Sequence, residues 1–438
     1  MPVTGKLGKR HSEIRPAISE SEGSTAVFVE SPKRIAESNI DFLTMEGVEM
    51  STKSPVRHIS YKPVMTDEMI EAAVRVLRGG KYIRSLPLED SEGKRFEDEF
   101  CAYVGAKHAV NVSSGTAALH IGLLAAGVGP GDEVITVPNT FSSVADVIIL
   151  CGARPVLVDV EADTYNMNVA LVESAITART KAILPVHMNG QAVDMDPLMR
   201  IARNHNLKVV EDVCHAAGGK YKGTLLGTIG DAGAFSFVQN KCISVGGEGG
   251  LLATNRPEIW ETAMMLANHG RGRRWFEGRN AYHVYRAQQI EMVGFNYRQN
   301  ELLSAIGRIQ LRYLDEWNER RRQNAERYRR RLAEFPNDLV APEPKPFATH
   351  SMLRFVAQTP QRDALRAHLE SRGVHVMVEY GTPIHLDHAY QRYCGAPEGT
   401  FPVTERLAQT ILTLPCYQTL GPSDVDYVVE AIRDFYKA

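Results

Sequence analysis

Lys241 follows the apolar run Ala234-Phe235-Ser236-Phe237-Val238 and precedes a Gly-rich turn that ends in Gly247-Glu248-Gly249-Gly250. An amine in that position is a candidate Schiff-base former, because it becomes a nucleophile near neutral pH only where burial or a neighbouring cation lowers its pKa. Earlier in the chain the run Leu207-Lys208-Val209-Val210-Glu211 ends in Asp212. A buried carboxylate at a strand end needs a cationic partner or dense hydrogen bonding, and a protonated pyridine nitrogen is one such partner. His215 follows three residues later, placed either to pack on a ring held there or to be a satisfied core imidazole. A third segment, Ser113-Ser114-Gly115-Thr116, joins the strand-like HAVNV to the helical GTAALHIGLLAA. Its free N–H groups, hydroxyls and helix dipole suit a phosphate. Each feature alone has an ordinary explanation: a surface Lys, a core His, a plain N-cap. Together, and in this order, they describe a site for pyridoxal phosphate.

Those residues must be held by elements that the hydrophobic pattern makes visible. Between about 105 and 255, short β-branched runs such as EVITV, PVLVDV, KAILPVH and AGAFSF alternate with helical stretches such as SVADVIIL and PLMRIARNH. Strands interleaved with helices predict a mostly parallel sheet with crossover helices on both faces. A helix is predicted to begin at the N-cap Thr66 and to stop at Gly79-Gly80. A single long helix is expected from about Asn300 to Glu334, ended by Pro336, with its Arg-rich stretch Arg320 to Arg331 as a solvated face. After the APEPKP linker, SMLRFVAQ, a helix through RDALRAHLESRG, a strand-like VHVMVEY and a last helix through DVDYVVEAIRDFY predict a smaller α/β unit. The expected division is a poorly ordered extension over 1–55, a large domain over 56–300, and a linking helix with a small C-terminal domain over 301–438. Met45 and Met50 leave room for an internal start.

Composition bounds the partners. The chain has 438 residues, 44% hydrophobic and 23% charged, with a net charge of -2. That balance gives no electrostatic reason to expect nucleic acid or an anionic membrane as partner. No apolar run approaches the roughly 18 residues of a membrane span, and the start MPVTGKLGKRHSEIRP lacks the apolar core of a signal peptide, so a cytoplasmic enzyme is expected. The six Cys show no CxxC spacing, which predicts reduced thiols rather than a zinc site or a disulfide framework. The stretch Gly227 to Gly233 has neither the spacing nor the position of a dinucleotide fingerprint.

From about Arg57 to its C-terminus the chain resembles the DegT/DnrJ/StrS-type pyridoxal-phosphate sugar aminotransferases. The likeness is carried by SSGTAAL at 113–119, VPNTF at 137–141, EDVCHAAG at 211–218, GDAGAFSF with Lys241 and GEGG at 247–250, and GFNYR at 294–298. The VDVEADTYNMN stretch and the Arg362-Asp363 pair add to it. The resemblance implies the three-layer fold type I of the aspartate aminotransferases, and a homodimer with shared active sites. It implies that Lys241 carries the Schiff base and that Asp212 keeps the pyridine nitrogen protonated. Ser114, Gly115, Thr116 and Ser236 would hold the phosphate, Phe141 would stack on the ring, and His215 would lie near its phenolic oxygen. Asn296 would reach the phosphate from the neighbouring subunit, and Arg298, His187 and Asn189 would stand on the substrate side. The chain departs from the family at three places. Asn189 stands where many members have an aromatic residue, His215 where many have Gln, and the Lys241 to Glu248 spacing is one residue longer than the commonest form.

The implied reaction moves an amino group from glutamate or glutamine to a nucleotide-linked keto-sugar or a keto-cyclitol. A family 3-dehydratase would carry His in place of Lys241. An aminodehydroquinate-type synthase keeps the Lys, and a regulatory relative without catalysis is the other alternative.

Overall fold

The computed structural model describes residues 57–83, 91–272, 290–335, 338–341 and 343–437. The extension expected over 1–55 and the helix-ending Pro336 lie outside the described residues.

A seven-stranded sheet organises the larger part. Its strands are β1 (His108–Val112), β2 (Glu133–Thr136), β3 (Arg154–Leu157), β4 (Thr180–Ile183), β5 (Lys208–Asp212), β8 (Ala232–Ser236) and β9 (Gly250–Thr254), in the order β1-β9-β8-β5-β4-β2-β3. All pairings from β8 through β5, β4 and β2 to β3 are parallel, and β9 runs against both its neighbours. Strands β2, β8 and β9 are buried along their whole length. That is why they read as continuous apolar runs: helices cover the sheet on both sides, giving three layers of fold type I. The helix Gly115–Ala125 packs on β1, β5, β8 and β9, and Met195–Asn204 packs on β5. Two short strands, β6 (Lys220–Tyr221) and β7 (Thr224–Leu225), form a small sheet with β10 (Ala348–Thr349).

The helix expected at Thr66 spans Asp67–Gly79, with Thr66 as N-cap and Gly80 in the left-handed conformation at its end. The long helix expected from Asn300 is instead two. Glu301–Leu311 and Leu314–Leu332 are separated at Arg312-Tyr313, where Tyr313 stacks on Trp317 with ring centroids 5.4 Å apart. The break carries neither Gly nor Pro, so the sequence offers no local signal for it. The Arg-rich face is also not uniformly solvated. Arg327 and Arg331 pair with Asp426 of the last helix, and Arg321 is fully buried.

The second core joins Ala325, Tyr328 and Leu332 to Leu365, Leu369, Val428 and Ile432, and to the antiparallel pair β11 (Phe355–Gln358) and β12 (Ile411–Leu414). The two cores do not divide at residue 300. Ala305, Ile306 and Ile309 belong to the first, while Ile59 belongs to the second and bridges Val374. The VHVMVEY run is held by isolated bridges at Val374 and Met377 rather than by a regular strand.

Candidate active site

Several segments converge on a cavity of about 410 Å³. Strand β5 ends in Asp212 and β8 in Ser236, so parallel pairing brings both to the same edge of the sheet. Ligands of open α/β sheets bind at that carboxyl edge. The helix Gly115–Ala125 starts beside them, with Ser114 as its N-cap accepting from the Ala117 N–H at 3.1 Å. A side chain at residue 115 would put its Cβ 2.7 Å from Ser236 Cβ and 2.9 Å from Cys214 Sγ. Only Gly lets the helix start approach β8 this closely. Gly250 on β9 has the same reason, since a Cβ there would meet the Ser114 carbonyl oxygen at 2.2 Å.

Lys241 lies on the loop after β8, its N–H donating to the Val238 carbonyl at 3.0 Å. Burial first, then the Arg354 guanidinium, lowers its pKa below that of an ordinary Lys. Burial, then the Lys241 amine and the Arg354 guanidinium, hold the His215 imidazole well below its usual pKa and therefore neutral. His215 Nε2 lies 3.4 Å from the Tyr380 hydroxyl, its rings nearly parallel to those of Tyr380, and its buried Nδ1 has no partner. The Asp212 carboxylate is buried, and its Oδ1 accepts from the Cys214 N–H at 2.9 Å.

The DegT/DnrJ/EryC1/StrS aminotransferase family model matches residues 63–433. The chain belongs to that family. A pleiotropic regulatory protein of Geobacillus stearothermophilus is 39% identical over 371 residues, covering 84% of this chain and 95% of its own. A dTDP-3-amino-3,4,6-trideoxy-alpha-D-glucose transaminase of Streptomyces venezuelae is 37% identical, covering 83% of this chain and 91% of its own. The solved structure of S. venezuelae DesV in complex with a ketimine intermediate superposes with a TM-score of 0.78 at 37% identity, over 85% of this chain and 95% of that one. This DegT/DnrJ/EryC1/StrS member is thus a pyridoxal-phosphate-dependent aminotransferase.

The residues present in this aminotransferase fit that cofactor. A helix start offers free N–H groups beside the Ser236 and Thr116 hydroxyls, and the Gly115 position leaves the space that a Cβ would fill. The buried Asp212 carboxylate borders the same cavity, as does the lysine with the depressed pKa. Phe141 lines it too, 55% exposed and 6.1 Å from the Tyr380 ring. Among the described residues no cluster of three metal-ligating side chains occurs.

The structure does not bring every candidate of the sequence to this cavity. His187 is fully buried below β5. Its Nδ1 accepts from the Val193 N–H and its Nε2 donates to Glu211, each at 3.1 Å. Glu211 in turn accepts from the N–H groups of Gly227, Ile229 and Gly230, so His187 braces a turn instead of meeting substrate. Asn189 is buried at φ 58°, and its carbonyl accepts from the Arg354 N–H at 3.4 Å. Asn tolerates that left-handed backbone where most side chains do not. Asn296 is exposed and outside the cavity, and Arg298 donates to Asn268 Oδ1 at 2.6 Å.

Arg354, Glu379 and Tyr380 are among the lining residues that the sequence alone did not single out. Arg354, at the entry to β11, pairs with Glu379, and Tyr380 follows it. A charged residue at the head of the apolar run in SMLRFVAQ was the one available signal. Cys214, Asn240 and Glu248 also line the wall.

Proposed function

We propose that this family member moves an amino group from glutamate or glutamine to the ketone of a nucleotide-linked sugar or a keto-cyclitol in amino-sugar biosynthesis. The observation that carries the reading is the meeting, in one cavity, of a lysine whose amine is driven toward neutrality, a buried carboxylate and a helix start with hydroxyls. The curated relatives named as dTDP-amino-sugar transaminases support the acceptor class.

Gly115, Thr116 and Ser236 would hold the cofactor's phosphate by N–H and hydroxyl donation, with Ser114 capping the helix that presents them. Asp212 would hold the pyridine nitrogen protonated, and Lys241 would carry the cofactor's aldehyde carbon. Bound there, pyridoxal phosphate supplies an electron sink for the carbanion formed next to the transferred nitrogen. The proton work falls to Lys241. A neutral Nζ takes the donor's α-proton and gives it back on the other side of the transfer, and a depressed pKa lets one group serve in both directions near neutral pH. Neutral His215 adds no charge beside Lys241 and would offer its free Nδ1 to the ring's phenolic oxygen. Phe141 and Tyr380 would exclude water from the ring.

A homodimer with shared sites is part of this reading. It is supported by Phe141, which stays half-exposed at the cavity, and by Asn296, which is exposed and does not line its own cavity.

The test is optical. Purified protein loaded with pyridoxal phosphate should show the absorption band of the Lys-bound cofactor, and glutamate or glutamine should convert it to that of pyridoxamine phosphate. A nucleotide-linked keto-sugar should then restore it. A band that no amino donor shifts would overturn the aminotransferase reading and favour a regulatory role.

A further inference from the structure

A second cavity of about 380 Å³ adjoins the first, with Asn240 and Arg354 common to both walls. It is enclosed by Tyr61 of the segment that enters the small unit, by β12 and the residues after it, and by Arg321 of the helix Leu314–Leu332. A partly open pocket of this size beside the cofactor cavity calls for an explanation.

Its polar groups supply one. Arg321 is 1% exposed, and its guanidinium has only neutral acceptors: Asn318 Oδ1 at 2.9 Å, the Cys242 carbonyl at 3.1 Å and Gln418 Oε1 at 2.6 Å. Its Nε has no partner, and among the described residues no carboxylate pairs with it. Thr413, 2% exposed on β12, lines the same cavity with an unpartnered hydroxyl. A buried cation without a counter-charge and a buried hydroxyl without a partner are both costly, and both border one void. Leu353, Met377, Leu414 and Pro415 supply an apolar part of the wall, and Arg354 and His375 also line it.

We propose that this cavity is a binding site for a compact organic monocarboxylate, its carboxylate set against Arg321 and Thr413 and its apolar body against Leu353, Met377 and Leu414. Arg354, the other guanidinium of the wall, is already paired with Glu379, so Arg321 is left to balance one negative charge, and the apolar part of the wall suits an organic body better than a phosphate dianion. Binding there does not depend on which reaction is run at Lys241, so failure of this site and failure of the aminotransferase reading are separable.

Isovalerate is the probe, titrated calorimetrically into the full-length holoenzyme, with isovaleramide as its neutral isostere. Saturable binding of isovalerate, about one per chain, with the amide at least about tenfold weaker, is the expected result. Thr413→Val should weaken isovalerate about fivefold to tenfold while the cofactor band and its response to glutamate stay as in the parent protein. Arg321→Met should abolish binding. Because that variant removes a buried residue, Arg321→Lys, which keeps the charge, is measured beside it and should retain weakened binding. No saturation up to about 50 mM, equal affinity for acid and amide, or unchanged affinity in Thr413→Val would each overturn the proposal.

Discussion

On one part of the cofactor cavity, Asp212, Ser236 and Gly115 stand at the ends of β5 and β8 and at the start of the helix that packs on them. On another, Arg354, Glu379 and Tyr380 come from connections of the small unit that belong to no regular strand, tied by an ion pair and by the contact of Tyr380 with His215. The first group is fixed by parallel pairing and close backbone approach, so it can present the same donors regardless of substrate. The second acts by charge at short range. Arg354 and Glu379 push the Lys241 amine in opposite directions, and the net effect of the surroundings is downward. In the proposed reaction the sheet edge would hold the cofactor, and the small unit would adjust the group that moves the proton.

Substitutions in the two groups should differ in kind. Lys241→Ala should have the largest effect, a loss of turnover of at least about 10³-fold together with loss of the Lys-bound absorption band, because it removes both the attachment and the base. Circular dichroism should show a folded protein. Residual turnover within tenfold of the parent would remove Lys241 from the mechanism. Asp212→Asn should follow at about 10²-fold to 10³-fold in kcat. The neutral amide no longer holds a protonated pyridine, so the cofactor's own absorption should shift as well. A change in KM alone would break the assignment.

Arg354→Met should produce a smaller but diagnostic effect. Without the guanidinium the Lys241 pKa rises, a smaller fraction of the amine is neutral at a given pH, and the acidic limb of the kcat profile should move to higher pH. Glu379→Gln removes a carboxylate that raises the same pKa and should move that limb to lower pH. Stopped-flow pH profiles of the glutamate half-reaction check both signs, and two shifts in the same direction would contradict the electrostatic role. His187→Phe should change activity least. It breaks the donation to Glu211 and the acceptor for Val193, so it should cost about 1–3 kcal/mol of stability in chemical unfolding. Its kcat should stay within about threefold of the parent, and a large loss of kcat at unchanged stability would return His187 to the substrate side.

The legible part of the site was local. Asp212, Ser236 and the Ser114-Gly115-Thr116 turn each sit where a strand or helix begins or ends, Lys241 lies on the loop that follows β8, and the hydrophobic period marks those points. The helix at Thr66 was legible for the same reason, since its capping residue, acidic first turn and terminal glycines lie within a few residues of one another. The break at Arg312-Tyr313 left no mark because the apolar spacing runs through it. His187 and Asn189 share one turn near strands that lead to the site, yet side-chain direction sends one into the core and backbone conformation turns the other away.

By itself the sequence determined the cofactor chemistry, the parallel sheet and the family, because each is written in residue types at short spacing. Tertiary structure alone decided that Arg354 and Glu379 reach Lys241 from more than a hundred residues away. It also decided that Arg321 turns inward from an otherwise charged helix face. The physical reason is the same in both cases: electrostatic influence and burial depend on distance in space, and only the packing of the two cores sets that distance.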